Sequence, residues 1–216
     1  MRPPVVLTHD GMLHRESWDA HFAALVPRYR VARWDRRGYG PSDQPGTAYS
    51  NADDLARVIH HVAGSPTTLV GCSYGALVSL RCALDHPDLV AALVLVGPVV
   101  TGLEFTPHFL TRGGRERPSD EASIADHIAY WSDDSWFVAA ASTAARQRLR
   151  ELLKANPHNL LPKAGPDQTA TDPLLPRLRQ ITLPTLVVGG EGDIPDVHMP
   201  TPAPSLLTSP VRTGRC

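Results

Sequence analysis

Cysteine is scarce. Cys72, Cys82 and Cys216 are the only three, and their spacing offers neither a disulfide framework nor a zinc site. The sequence therefore implies no structural metal and a reduced, cytoplasmic setting. Lysine is scarcer still, with Lys154 and Lys163 alone against many arginines, alanines and prolines. That bias reads as a coding preference, not as chemistry. No run of like charge occurs and the net charge is −1, which argues against a nucleic-acid or anionic-membrane surface. Long apolar runs are missing too. The N-terminal "PVVL" is too short for a signal peptide, and no stretch reaches the length of a membrane span.

What is present is a rhythm. Hydrophobic residues make up 42% of the 216, enough for one domain with a sizeable core. Five short apolar runs, at 4–9, 29–35, 67–73, 91–98 and 184–193, read as buried strands, each ending in a small or polar residue. Helical patterns separate them. Residues 17–28 place Trp18, Phe22, Leu25 and Val26 on one face. Residues 51–63 begin with a capping candidate, Asn51, and acids in the first turn. Residues 75–87 end at a proline. Alternating strands and helices predict an α/β fold with a mostly parallel sheet flanked by helices.

Two stretches break the rhythm. Residues 101–183 contain helix-like pieces at 123–131 and 143–156 but no good strand, and read as a helical lid between two sheet strands. The expected division is a core of 1–100 and 184–199, an insertion of 101–183, and an irregular tail of 200–216. Prolines at 200, 202, 204 and 210 leave that tail without a strand or helix period.

The most informative stretch is "LVGCSYGAL", residues 69–77, which sets Ser73 between Gly71 and Gly75. A strand before and a helix after would hold the serine on a sharp turn, its hydroxyl above the sheet edge. The helix would then aim its N-terminus and the Tyr74 amide at any oxyanion forming there. The alternative is a serine that merely caps a helix. "LTHDG" follows the first strand, and the Gly11 amide is the best second oxyanion donor in it. "WDRRGYGPSDQP" follows the second strand, and "GGEGDIPD" carries the fifth onto Asp193. All these strand ends would share the carboxyl edge of one parallel sheet, where such sheets bind ligands. No G-x-G-x-x-G follows the first strand and no P-loop occurs, so a nucleotide-binding fold is a poor reading.

His9, Gly11 and Trp18, the run Asp35, Arg37, Gly38, Gly40 and Ser42, the elbow Gly71, Ser73 and Gly75, and the stretch from Pro184 to Asp193 together resemble the α/β-hydrolase superfamily. The likeness is to its lidded serine-hydrolase branch and spans roughly residues 3–199. It implies nucleophile Ser73, triad acid Asp193, oxyanion amides from Tyr74 and Gly11, supporting His9, no cofactor, and a small ester, lactone, amide or C–C bond as substrate. Asp35 and Arg37 are expected to organise a loop behind the site. Trp131, Trp136, Phe105 and Phe109 are candidates for an apolar pocket wall. Asp10 stands where the family usually has glycine, and its side chain is expected to crowd the oxyanion loop.

The family order is Ser, acid, His. After Asp193 only His198 follows, five residues on. That is too near to arrive from a further strand, and it reads as a loop histidine. His108, His127 and His158 lie in the insertion with no spacing that favours them as the base. The likeness also implies a chain short at both ends, with five strands in the order second, first, third, fourth, fifth. The competing reading is an inactive homologue with a binding role or none. Oligomeric state is left open.

Overall fold

The computed structural model describes residues 2–62, 66–111, 114–134, 142–190 and 193–194, together with the backbone of 206–211. A parallel sheet runs through it. β1 (Pro4–Thr8), β2 (Arg30–Trp34), β3 (Thr67–Cys72), β4 (Val90–Val96), β5 (Thr185–Gly190) and β6 (Leu206–Val211) lie in the order β2-β1-β3-β4-β5-β6. The first five match the expected runs and order. The sixth is a correction, because the tail expected to be irregular pairs in parallel with β5, from Thr185 opposite Leu206 to Gly190 opposite Val211. β6 is an edge strand, and an edge tolerates Pro210, whose missing N–H a central strand needs.

Period-two side-chain alternation splits the core. Val6, Leu69 and Leu93 join the larger cluster with α2 (Asn51–Val62) and α3 (Tyr74–Asp85). Val5, Leu7 and Val70 face the other way and pack with Trp18, Phe22 and Leu25, from a 3-10 turn and α1 (Asp19–Leu25). Right-handed crossovers produce this arrangement. The chain steps from β1 to β2 in one direction, then returns past β1 to β3, so successive helices fall on opposite faces. The cap of α2 differs from expectation. Ser50, not Asn51, accepts from the Asp53 amide at 3.2 Å, while the Asn51 side chain donates to Asp167 at 2.5 Å.

Between β4 and β5 the chain forms α4 (Pro107–Thr111), α5 (Ile124–Ser132), α6 (Thr143–Ala155) and several 3-10 turns. Ser123 and Asp126 form a capping box that starts α5. Leu149, Leu152 and Leu153 of α6 pack on Leu13, beside the loop after β1. Where the insertion leaves and rejoins the sheet its two ends meet. The Leu174 and Leu175 amides both donate to the Thr101 carbonyl at 3.0 Å, and the Thr101 hydroxyl donates to the Asp172 carbonyl at 3.1 Å.

Candidate active site

The strand order reverses between β1 and β3, and the loops after these two strands diverge there. Ser73 stands at the end of β3 with φ 51° and ψ −114°, the one described non-glycine residue with positive φ. Such a conformation costs on the order of 1–3 kcal/mol and persists only where its surroundings enforce it. Here the Ser73 amide donates to the Val96 carbonyl at 2.9 Å, while its carbonyl accepts from Ala76 at 3.0 Å and begins α3. The flanking glycines let the turn close. A Cβ on Gly71 would lie 2.3 Å from the Gly75 carbonyl oxygen, and one on Gly75 would lie 2.3 Å from that of Thr8.

The loop after β1 comes against this turn, with the Cβ of Tyr74 3.6 Å from where a Cβ on Gly11 would sit. His9 is fully buried. Its Nδ1 lies 2.8 Å from the Asp10 carbonyl, which can only accept, and its Nε2 accepts the Arg36 amide at 3.1 Å. The ring is therefore the neutral Nδ1–H tautomer. Burial, reinforced by the Arg36 charge, holds its pKa well below the ordinary histidine value. With both nitrogens committed, His9 braces the loop and is not free to serve as a base.

Asp10 departs from the expected crowding. Its carboxylate turns inward and accepts the Met12 and Leu13 amides at 2.7 and 3.0 Å, closing a local turn. Burial raises its pKa, and those two amides oppose the shift. Asp35 and Arg37 lie in the following loop. Asp35 accepts from the Arg15 amide at 2.6 Å, and Arg37 binds Asp54 through two donors at 2.6 and 2.9 Å.

Asp193 sits just beyond β5. Its Oδ2 accepts the Gly190 amide at 2.7 Å and lies 3.9 Å from where a Cβ on Gly97 would sit, at the turn after β4. Burial raises the pKa of the Cys72 thiol, with smaller contributions from the Asp10 and Asp193 charges. Ser73, Tyr74, Gly11 and Asp193 thus share one edge of the sheet. None of the nine described histidines is hydrogen-bonded to Ser73 or Asp193 among the described bonds. His14 contacts Asn156 and Asn159, His86 pairs with Asp53, and His158 donates to the Gly40 carbonyl. His198 and Trp136 lie outside the described residues.

Three residues with no local signature also converge here. Asp167, from the insertion, accepts the Tyr74 hydroxyl at 2.5 Å as well as Asn51. Asn159 accepts the Gly40 amide at 2.9 Å. Lys163 donates to the His158, Asn159 and Leu161 carbonyls and lies 4.3 Å over the Tyr39 ring. Burial, then the Arg36 charge, lowers its pKa to about 8. A cavity of about 290 Å³ opens between the loop after β1 and the insertion, lined in part by Gly11, Met12, Tyr39, Trp131, Arg117 and Lys163. It is more polar than expected. Of the aromatic candidates, Trp131 reaches it, whereas Phe105 and Phe109 stack on each other at 4.1 Å and are not part of its wall. Among the described residues no group of three metal-binding side chains gathers, and no helix is long and apolar enough to cross a membrane.

The sequence profile of the Alpha/beta hydrolase family matches residues 5–211. The chain belongs to this family. One similar alpha/beta hydrolase relative is a 2-(acetamidomethylene)succinate hydrolase of Mesorhizobium japonicum, 30% identical over 87% of this chain and 70% of its own length. Another is a pimeloyl-(acyl-carrier protein) methyl ester esterase of Nitrosomonas europaea, 25% identical over 89% of this chain and 78% of its own. Among solved structures, MenH from S. aureus superposes with a TM-score of 0.75 at 20% identity, covering 96% of this chain and 84% of that one. A thermophilic esterase from Thermogutta terrifontis gives 0.71 at 23%, covering 97% and 80%. At these identities the structures establish the alpha/beta hydrolase fold, and the named relatives place the chain among hydrolases.

Proposed function

We propose that this hydrolase acts by covalent catalysis through Ser73 on a small ester, lactone, amide or activated C–C bond. The strained backbone of Ser73 carries the reading, since a serine that merely capped α3 would need no positive φ. Its Oγ attacks the substrate carbonyl and loses its proton to a base. The carbonyl π electrons move to oxygen, and the Tyr74 and Gly11 amides hold the resulting oxyanion. Collapse expels the leaving group, which takes up the proton, and water then releases the acyl group. Asp193 would orient and stabilise an imidazole acting as that base.

The base is the gap in this scheme, and it supports a second reading. Each described histidine with recorded partners is committed elsewhere. A chain without the imidazole would retain the fold and oxyanion amides but lose several orders of magnitude in rate, leaving a nearly inactive homologue. A fluorophosphonate probe separates the two. Labelling of the wild type and not of Ser73→Ala identifies a working nucleophile and base. No labelling of either protein supports the inactive homologue.

The cavity beside Gly11 is small for a ligand pocket and carries Arg117, Lys163 and Asp120 on its walls. It reaches Gly11 and not Ser73, and it suits a short, polar part of a substrate better than a long alkyl chain. The succinate in one relative's name fits such a substrate. We expect kcat/KM for 4-nitrophenyl acetate to exceed that for the octanoate by about tenfold or more. Equal rates, or preference for the octanoate, would contradict this pocket assignment.

A further inference from the structure

The most unusual buried group at this edge is Arg36, only 1% exposed. Its Nη2 donates to the Asp10 carbonyl. Its guanidinium carbon lies 4.1 Å over the Tyr39 ring and 4.8 Å over the Tyr74 ring. Its Nε has no hydrogen-bond partner among the described residues. Removing a guanidinium from water is costly, and an incompletely satisfied one is costlier still. An apolar side chain of similar length would fill the space at lower cost, so packing alone does not account for the charge.

Two of the three groups it touches, the Asp10 carbonyl and the Tyr74 ring, adjoin the amides that the proposed chemistry needs. The Asp10–Gly11 peptide is trans, so its carbonyl and the Gly11 N–H point in opposite directions. Holding the carbonyl on Arg36 and on His9 Nδ1–H therefore fixes where the Gly11 N–H points. A charged donor on the carbonyl also polarises the peptide and strengthens its N–H as a donor. The Tyr74 peptide amide belongs to the residue whose ring Arg36 covers, and Asp167 holds that side chain at its far end. One buried cation thus bears on both oxyanion donors.

We propose that Arg36 is a positioning residue of the oxyanion hole, aligning the Gly11 amide through the Asp10 carbonyl and the Tyr74 amide through the ring. This rests on the serine-hydrolase reading above, and the test keeps the two apart. In its first arm, Arg36→Met and Arg36→Lys are compared with wild type by the rate of Ser73 labelling at saturating fluorophosphonate. The methionine variant should label about 100-fold slower, the scale of a misplacement near 1 Å at a reacting centre. Its half-saturating probe concentration should stay within twofold. Lysine, which keeps a charged donor, should recover at least tenfold of the loss.

Methionine labelled within threefold of wild type, or lysine that recovers nothing, overturns the proposal. So does a folded lysine variant more than 100-fold slower than wild type, which keeps the test decisive if methionine prevents folding. The second arm needs no turnover. The ¹⁵N–¹H resonance of Gly11 should be single in wild type and Arg36→Lys, and broadened or doubled in Arg36→Met. An unchanged resonance in a folded Arg36→Met overturns the proposal. A wild type that does not label sinks the hydrolase mechanism alone, and the Gly11 resonance then decides the role of Arg36.

Discussion

Gly75→Ala is expected to abolish most of the soluble, folded protein, whereas Gly46→Ala is expected to leave yield and melting temperature unchanged or slightly raised. A Cβ on Gly75 would meet the Thr8 and His9 carbonyl oxygens at 2.3 and 2.5 Å. Both obstacles are backbone at the end of β1, so no rotamer change relieves the clash. The first turn of α3 would have to lift from the sheet, carrying Ser73 with it. Overpacking against side chains that can move costs about 1–3 kcal/mol, and a backbone clash should cost about 3 kcal/mol or more. That is a large part of the roughly 5–15 kcal/mol that holds a typical domain folded. Gly46 has nothing within 4 Å of the added methyl, and alanine there restricts only the unfolded chain. Thermal melts of both variants check this. A Gly75→Ala protein melting within about 2 °C of wild type would show that α3 does not rest on β1 as described.

Acidification should weaken the fold through His9. Burial and Arg36 keep this histidine neutral in the folded protein, with a pKa well below that of the unfolded chain. Below the unfolded value of about 6.5, the unfolded chain takes up a proton that the folded chain refuses. Stability is then lost as pH falls, by about 1.4 kcal/mol per unit, until the folded pKa is reached. The loss shows as a melting temperature that falls as the pH drops below 6.5. Asp10 works against this at lower pH. Its pKa is raised, so the folded state takes up its proton first and recovers some stability as pH falls through that raised value. His9→Gln keeps a donor and an acceptor but does not titrate. It should start less stable at pH 7 and lose less between pH 6.5 and 5. A wild-type slope no steeper than the variant's would remove His9 as the cause.

The sheet was legible because its runs are short, apolar and bounded, and because each ends on a residue that a strand terminus favours. The elbow was legible because glycine spacing reports a steric need, and the contacts at Gly71 and Gly75 are that need seen in three dimensions. Arg36 was missed, although Asp35 and Arg37 on either side were singled out. A charged residue in a charged run reads as solvated, and only tertiary packing turns it inward between two tyrosine rings. Asp167 and Asn159 were missed for another reason. Their partners Tyr74 and Gly40 lie 93 and 119 residues away, and no local period encodes such a contact. The sixth strand was obscured by proline. The rule that bars proline from strands holds for central ones, and β6 is at the edge.

The clasp at Thr101 has a consequence for how such a chain diversifies. The insertion departs and returns at one point, and between its ends it is tied to the core at a few residues, among them Asn159 on Gly40 and Asp167 on Tyr74. Lengthening a closed excursion is cheap, about 0.6 kcal/mol of closure entropy per doubling. Helices can be added, lost or exchanged between those ties without disturbing the register of β4 on β5, whereas a change at Asp167 reaches Tyr74, next to Ser73. The two parts can therefore have partly separate histories, a constrained frame with the few residues anchored to it, and replaceable stretches between those anchors that are free to drift.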